Sequence, residues 1–318
     1  MLYSPSIWRF LVLTRWSSAP LNTVTHPHEC SGNSLPRHPR GFHPDCCLDD
    51  HYRSTLDGPL NNAPEPRLVP LSVSMSGRSD VGRVRSRNED SLVLLPQTHA
   101  LIVADGMGGH PGGDVASRLA AESLAATVQD VMDGMPMSVD RMHDAVLAAH
   151  QAIRDEGHRD HALSGMGTTL TGLYAASDRF VIGHVGDSRA YQHRNEETIQ
   201  LTRDDTWVQD RIEEGVLSEG QARKHPFGHM LTQCLGLMQP PTPHVVEGDL
   251  LAGDLYLVCS DGLTGLVDDG RIHVVLRQVT DGTHTAREAC ESLISEANLA
   301  GGHDNITVGI LQVGASVD

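Results

Sequence analysis

Four short acidic motifs spread between residues 88 and 305 constrain this chain more than any other feature: Asn88-Glu89-Asp90, Ala104-Asp105-Gly106-Met107-Gly108-Gly109, Ser260-Asp261-Gly262 and His303-Asp304-Asn305. Each reads as the end of a β-strand running into a turn, where a carboxylate is held rigidly. Carboxylates gathered by folding repel one another, so such a cluster normally persists only if cations neutralise it. Hard oxygen ligands favour Mg²⁺ or Mn²⁺ over zinc. The pattern implies a metal-dependent hydrolase.

The chain carries 24 Lys+Arg against 41 Asp+Glu, a net charge of −17. Residues 1–70 hold 6 of each sign, so the whole excess falls on residues 71–318. An acidic domain repels nucleic-acid phosphate and attracts cations or basic partners, which argues against DNA or RNA binding. None of the 6 cysteines forms a C-x-x-C pair, and Cys259, inside Leu255-Tyr256-Leu257-Val258-Cys259, reads as a buried thiol. No stretch of about 18 apolar residues spans a bilayer. The run Phe10-Leu11-Val12-Leu13 is too short for a signal-peptide core. A cytoplasmic protein without a membrane partner is expected.

Residues 1–70 are rich in Pro, His, Ser and Asn and lack the period of either strand or helix. They read as a disordered or non-native N-terminal extension, with a start near Met75 as one alternative. Their histidines and cysteines fit no standard metal spacing. From Leu71 the texture changes. Strand-like runs at Ser91–Leu95 and Ala100–Ala104 precede two amphipathic helices, one with Val115, Leu119, Leu124 and Val128 near one face, the other with Val139, Met142, Val146, Ala149 and Ile153. Further strands are expected at Thr168–Ala175, Arg179–Val185, Ala190–His193 and Thr198–Leu201. A polar, helix-prone insertion runs from Asp204 to His229. Strands at His244–Glu247 and Asp254–Cys259, helices near Gly270–Val279 and Thr285–Ala297, and a strand at Asn305–Val313 complete the chain. This order suggests an α+β fold: a β-sandwich core between helix layers (α-β-β-α), not alternating βαβ units.

Asp105 follows Leu101-Ile102-Val103-Ala104 and precedes a glycine cluster that lets backbone carbonyls approach a ligand. A dinucleotide fingerprint is excluded, because Pro111 stands where its third glycine would be. Taken alone an Asp-Gly turn is only a turn; its company gives it meaning. Arg85-Ser86-Arg87-Asn88-Glu89-Asp90, Val103-Ala104-Asp105-Gly106-Met107-Gly108-Gly109-His110, Gly167-Thr168-Thr169, Gly186-Asp187-Ser188-Arg189, Ser260-Asp261-Gly262-Leu263 and Asp304-Asn305-Ile306-Thr307 follow one another along the chain. In this order the chain resembles the metal-dependent serine/threonine phosphatases of the protein phosphatase 2C family, bacterial branch.

The resemblance covers residues 71–314 as a catalytic domain and leaves 1–70 and a tail, 315–318, outside it. It implies that Asp105 bridges two Mn²⁺ or Mg²⁺ ions, that the Gly106 carbonyl is a further ligand, that Asp261 and Asp304 complete the site, and that Glu89 and Asp90 hold metals or their waters. It also implies hydrolysis of phosphoserine and phosphothreonine in proteins modified by a serine/threonine kinase, by water activated between the ions. Arg85 aligns with the family's phosphate-binding arginine, and a guanidinium fork suits phosphate; the alternative is a solvated charge beside Arg83 and Arg87. Asp187 resembles the ligand of a third, weaker metal, or shapes a hairpin with Arg189. Met107 stands where animal members carry a histidine, so the general acid is His110 or a metal-bound water, and His110 can equally be a plain loop residue. The insertion Asp204–His229 matches the family's flap, either selecting substrates or decorating the surface. A non-catalytic phosphoprotein-binding module and a two-metal hydrolase of small phosphoesters are the rival readings.

Overall fold

Leu101, Ile102, Val103 and Ala104 are all fully buried, so the strand that contains them has a covered surface on both faces. In the computed structural model, which describes residues 71–107, 112–130 and 137–315, the cause is a pair of stacked antiparallel sheets with helices outside each. The extension 1–70 and His110 lie outside the described residues.

One sheet orders its strands β1 (Leu71–Asp80), β10 (Ile306–Ala315), β9 (Leu255–Cys259), β6 (Arg189–Arg194) and β7 (Glu197–Gln200). The other orders β2 (Asp90–Leu95), β3 (Ala100–Asp105), β4 (Leu170–Ala176), β5 (Arg179–Val185) and β8 (His244–Asp249). Side chains alternate between faces along a strand, and the cores follow that parity. Leu101 and Val103 of β3 join Leu173, Ile182, Tyr256, Val258, Leu311 and Val313 in the layer between the sheets. Ala100, Ile102 and Ala104 face outward onto helices α1 (Gly113–Asp130) and α2 (Val139–Arg159). Leu257, Cys259, Val308 and Ile310 face outward on the other side, onto the short helix α5 (Asp261–Thr264) and helices α6 (Asp269–Thr280) and α7 (Ala286–Leu299). The expected α-β-β-α layering is observed.

The details refine the sequence reading. β1 carried no expectation as a strand, yet it pairs with β10 from Leu71↔Ala315 to Asp80↔Ile306. Its period-two alternation stops at Gly77-Arg78-Ser79, and an edge strand needs only one covered face. In α1 the buried stripe is made of small residues, Ala116, Ala120 and Ala121, with Leu124 and Val128; Val115 and Leu119 only flank it. Val139, at the first turn of α2, is 36% exposed. The insertion forms helices α3 (Trp207–Glu213) and α4 (Glu219–Ala222). Among the described residues no helix is long and apolar enough to cross a membrane.

Candidate metal centre

Parity also aims the acidic residues. Asp105 continues the inward face of β3 two residues beyond Val103, and Asp90 is its direct partner across the β2–β3 ladder. Thr307, inward on β10, reaches over the gap: its Oγ1 donates to Asp90 Oδ2 at 2.6 Å, and Ser260 Oγ, just past β9, donates to the same oxygen at 2.8 Å. Asp90 is thus held by hydroxyls of the opposite sheet. Thr169 Oγ1 accepts from the Asp105 backbone N at 2.9 Å, and Thr168 Oγ1 donates to the Asp105 carbonyl at 2.8 Å.

Asn305 organises the neighbouring loop. Its Oδ1 accepts from Glu89 N at 2.8 Å, while its Nδ2 donates to the carbonyls of Val81, at 3.0 Å, and Arg87, at 2.8 Å. One side chain therefore ties down the segment carrying Arg85 and Glu89. Glycine is demanded where backbones touch: a Cβ on Gly262 would lie 1.9 Å from the Asn305 carbonyl oxygen, and one on Gly106 would lie 2.6 Å from that of Glu89.

The electrostatics follow from this crowding. Burial pushes Asp90 up to about 7, against the pull of its two hydroxyl partners. Burial, then the charges of Asp90, Asp261, Asp187 and Asp304, raise Asp105 well above the ordinary carboxylate range. Asp187 is raised by burial and by Asp261, and Glu89 by burial, which the nearby Arg85 opposes. For Asp261 burial is outweighed by hydrogen bonds with His229 and Asp105, which hold it low. Arg85 Nη2 donates to Asp304 Oδ2 at 2.7 Å, with 39% of its side chain and 35% of that of Asp304 exposed.

Glu89, Asp90, Asp105, Gly106, Asp187, Asp261 and Asp304 thus meet at one end of the sandwich, with Arg85 at the rim. Asp90 Oδ1 is buried with no hydrogen-bond donor among the described residues. A buried, unpaired carboxylate oxygen facing other carboxylates suits a cation. Among the described residues no three His, Cys, Asp or Glu side chains close into a ready-made cage; a hard divalent ion that keeps several waters does not require one. The donor set fits Mg²⁺ or Mn²⁺.

Two further neighbours were not singled out from sequence. His229 comes from the insertion, its Nδ1 3.5 Å from Asp261 Oδ2 with 80% of the side chain exposed. Asp204, the first residue of the insertion, accepts a forked pair from Arg189, Nε at 2.9 Å and Nη2 at 2.7 Å. A cleft of about 510 Å³ opens from Asp187 and Asp261 beneath the insertion, lined also by Thr206, Arg223, His229 and Asp268.

A family model described as protein phosphatase 2C matches residues 82–295. The serine/threonine protein phosphatase PstP of Mycobacterium tuberculosis is 38% identical over 250 residues, 77% of this chain and 46% of PstP. The chain spans about half the length of that relative. Serine/threonine phosphatase stp of Listeria innocua is 32% identical over 243 residues, 73% of this chain and 92% of stp. The crystal structure of M. tuberculosis PstP/Ppp matches with a TM-score of 0.69 at 36% identity, over 76% of this chain and 98% of that one. The PstP catalytic domain in complex with two manganese ions gives 0.67 at 35% identity, over 77% and 99%.

Proposed function

The chain belongs to the protein phosphatase 2C family, and on that premise we propose that it hydrolyses phosphoserine and phosphothreonine esters in proteins with Mg²⁺ or Mn²⁺ as cofactor. The observation that carries this reading is the unpaired, buried Asp90 Oδ1 among mutually repelling carboxylates. Asp105, Asp261 and Asp304, with Glu89, Asp90 and the Gly106 carbonyl, would hold two cations, and Asp187 a third. When bound, such ions lower the pKa of water and neutralise charge on a phosphoryl group.

The chain's own residues do the rest. Arg85 orients the phosphoryl oxygens with the N–H groups that its bond to Asp304 leaves unpaired among the described residues. Ser260 and Thr307 hold the Asp90 carboxylate, and Thr168 and Thr169 the backbone of Asp105, before substrate arrives, so little reorganisation is needed at the moment of reaction. His110 is proposed to supply the leaving-group proton. The cleft beneath the insertion receives the peptide around the phosphorylated residue.

The proposal assigns catalysis to residues 71–314, with 1–70 as an extension and phosphorylated kinase substrates as partners. β10 itself runs to Ala315. A cytoplasmic setting is part of the same reading; it is supported by Cys234, Cys259 and Cys290, which are buried free thiols. The deciding experiment is phosphate release from a phosphothreonine peptide by the full chain with Mn²⁺, with chelator, and against nucleotides. Metal-dependent turnover of the peptide is expected. Peptide binding without turnover, or preference for nucleotides, would replace this reading with one of its rivals.

A further inference from the structure

Asp205 is 1% exposed, and three separate segments converge on its carboxylate. Oδ2 accepts from the backbone N of Gly186 at 3.0 Å. Oδ1 accepts from Gln233 Nε2 at 3.0 Å and from His244 Nε2 at 3.0 Å. The backbone adds two bonds: Asp205 N donates to the Gly186 carbonyl at 2.7 Å, and Thr232 N donates to the Asp205 carbonyl at 2.8 Å. Gly186 precedes Asp187 and Thr232-Gln233 follows the insertion, while Asp205 stands at the insertion's start. One buried group therefore joins both limbs of the flap to the turn that presents Asp187.

The turn needs such a fastening. Gly186 has φ +108°, and a Cβ there would lie 2.6 Å from Thr169 Cγ2, so no side chain can anchor it at that position. Thr169 and Ser188 hold it from beneath through a 2.7 Å hydroxyl contact. Asp204 cannot substitute, because Arg189 occupies its carboxylate. A buried carboxylate that loses such donors leaves several unsatisfied groups at once.

We propose that Asp205 is a positioning residue that couples the flap to the cation site at Asp187. Its carboxylate sets the Gly186-Asp187 turn and the flap base together, so cation occupancy at Asp187 and order in the flap rise and fall together. By linkage the coupling is reciprocal. The proposal rests on the reading of Asp187 as a cation ligand.

The test compares full-length Asp205→Asn and Asp187→Asn with the native chain, each stripped with chelator. Mn²⁺ binding is titrated calorimetrically, and tryptic cleavage after Arg223 and Lys224 in the flap is timed with and without Mn²⁺. For Asp205→Asn, one class of Mn²⁺ sites should weaken by about tenfold or more, and Mn²⁺ should no longer slow cleavage. Asp187→Asn should lose the same class yet keep the native cleavage rate without metal, because the clamp is intact. A folded Asp205→Asn with native binding and native Mn²⁺ protection overturns the proposal. An unchanged isotherm for Asp187→Asn instead refutes Asp187 as a ligand, and with it the coupling, whatever Asp205→Asn does. Should Asp205→Asn not fold, Gln233→Ala decides: faster flap cleavage is expected, and a native rate overturns the clamp.

Discussion

The two walls of the candidate centre are built differently. On the scaffold side, Asp90, Asp105, Asp261 and Asp304 stand at or just beside strand ends, with buried hydroxyls on the Asp90 carboxylate and the Asp105 backbone and the Asn305 amide on the neighbouring Glu89 backbone. On the flap side, Asp187 sits on a turn, and the insertion is held by charged contacts at its base, such as Arg203 to Glu213 at 2.6 Å and to Asp210 at 2.7 Å. Above that base Trp207 packs on His225 and Phe227, centroids 4.9 and 5.6 Å away, with Arg211 5.5 Å over its ring. Strand register thus places the scaffold wall, while the flap wall rests on a segment with its own small core. The scaffold wall should fail all at once, and the flap wall by degrees.

The largest effect belongs to the scaffold. Asp105→Asn should lower phosphatase activity by about 10²-fold or more in a steady-state assay at saturating Mn²⁺, since an amide cannot supply the charge. The same change should raise the melting temperature of metal-free protein at pH 7 by about 2–4 °C, the shift for about 1 kcal/mol in a domain of this size. Activity above about a tenth of native would place Asp105 outside the reacting centre.

A pH series tests the origin of that instability. Asp90, lifted by burial to about 7, and Asp105, lifted by burial and by Asp90, bind protons in the folded chain that they release on unfolding. Their stabilisation is complete below the unfolded value of about 4 and is lost as pH rises through the folded values. Metal-free melting temperature should therefore fall between about pH 4 and 7, and saturating Mn²⁺ should abolish the fall. A flat metal-free profile would remove carboxylate crowding as the cause.

Arg85→Ala, at the rim of the scaffold wall, should be milder. KM for a phosphopeptide should rise by about tenfold, the scale of one charged hydrogen bond, with Mn²⁺ affinity changed less. The reverse pattern would make Arg85 a partner of Asp304 alone. Smallest is Trp207→Ala: loss of about 1 kcal/mol of aromatic and cation–π contact should alter KM for a phosphoprotein several-fold while kcat on p-nitrophenyl phosphate stays native. A proportional loss on both substrates would show that the flap belongs to the chemistry.

The contrast between walls also explains what could be seen in the sequence. Runs buried on both faces, such as residues 101–104 and 180–185, announce strands locally, and the acidic motifs announce where those strands end. The layer order followed from these. The role of Asn305 did not, because its partners Val81, Arg87 and Glu89 lie more than two hundred positions away. Trp207, His225 and Phe227 share no period, so the insertion read as merely polar. Nothing in the sequence sets Asp205 apart from the other acids of an acidic chain; the tertiary fold buries it.

The inward layer between the sheets has a mechanical meaning. Asp90 and Asp105 belong to one sheet, and Asp261 and Asp304 to strand ends of the other, so the side chains filling that layer act as a gauge block between the jaws of a calliper. Gly309 and Leu101 show how fine the setting is: a Cβ on the glycine would lie 2.3 Å from Leu101 Cδ1. Mg²⁺ tolerates little departure from its preferred octahedral distances, whereas larger ions accept more. The spacing of these carboxylates is therefore machined partly into hydrophobic residues that never touch them.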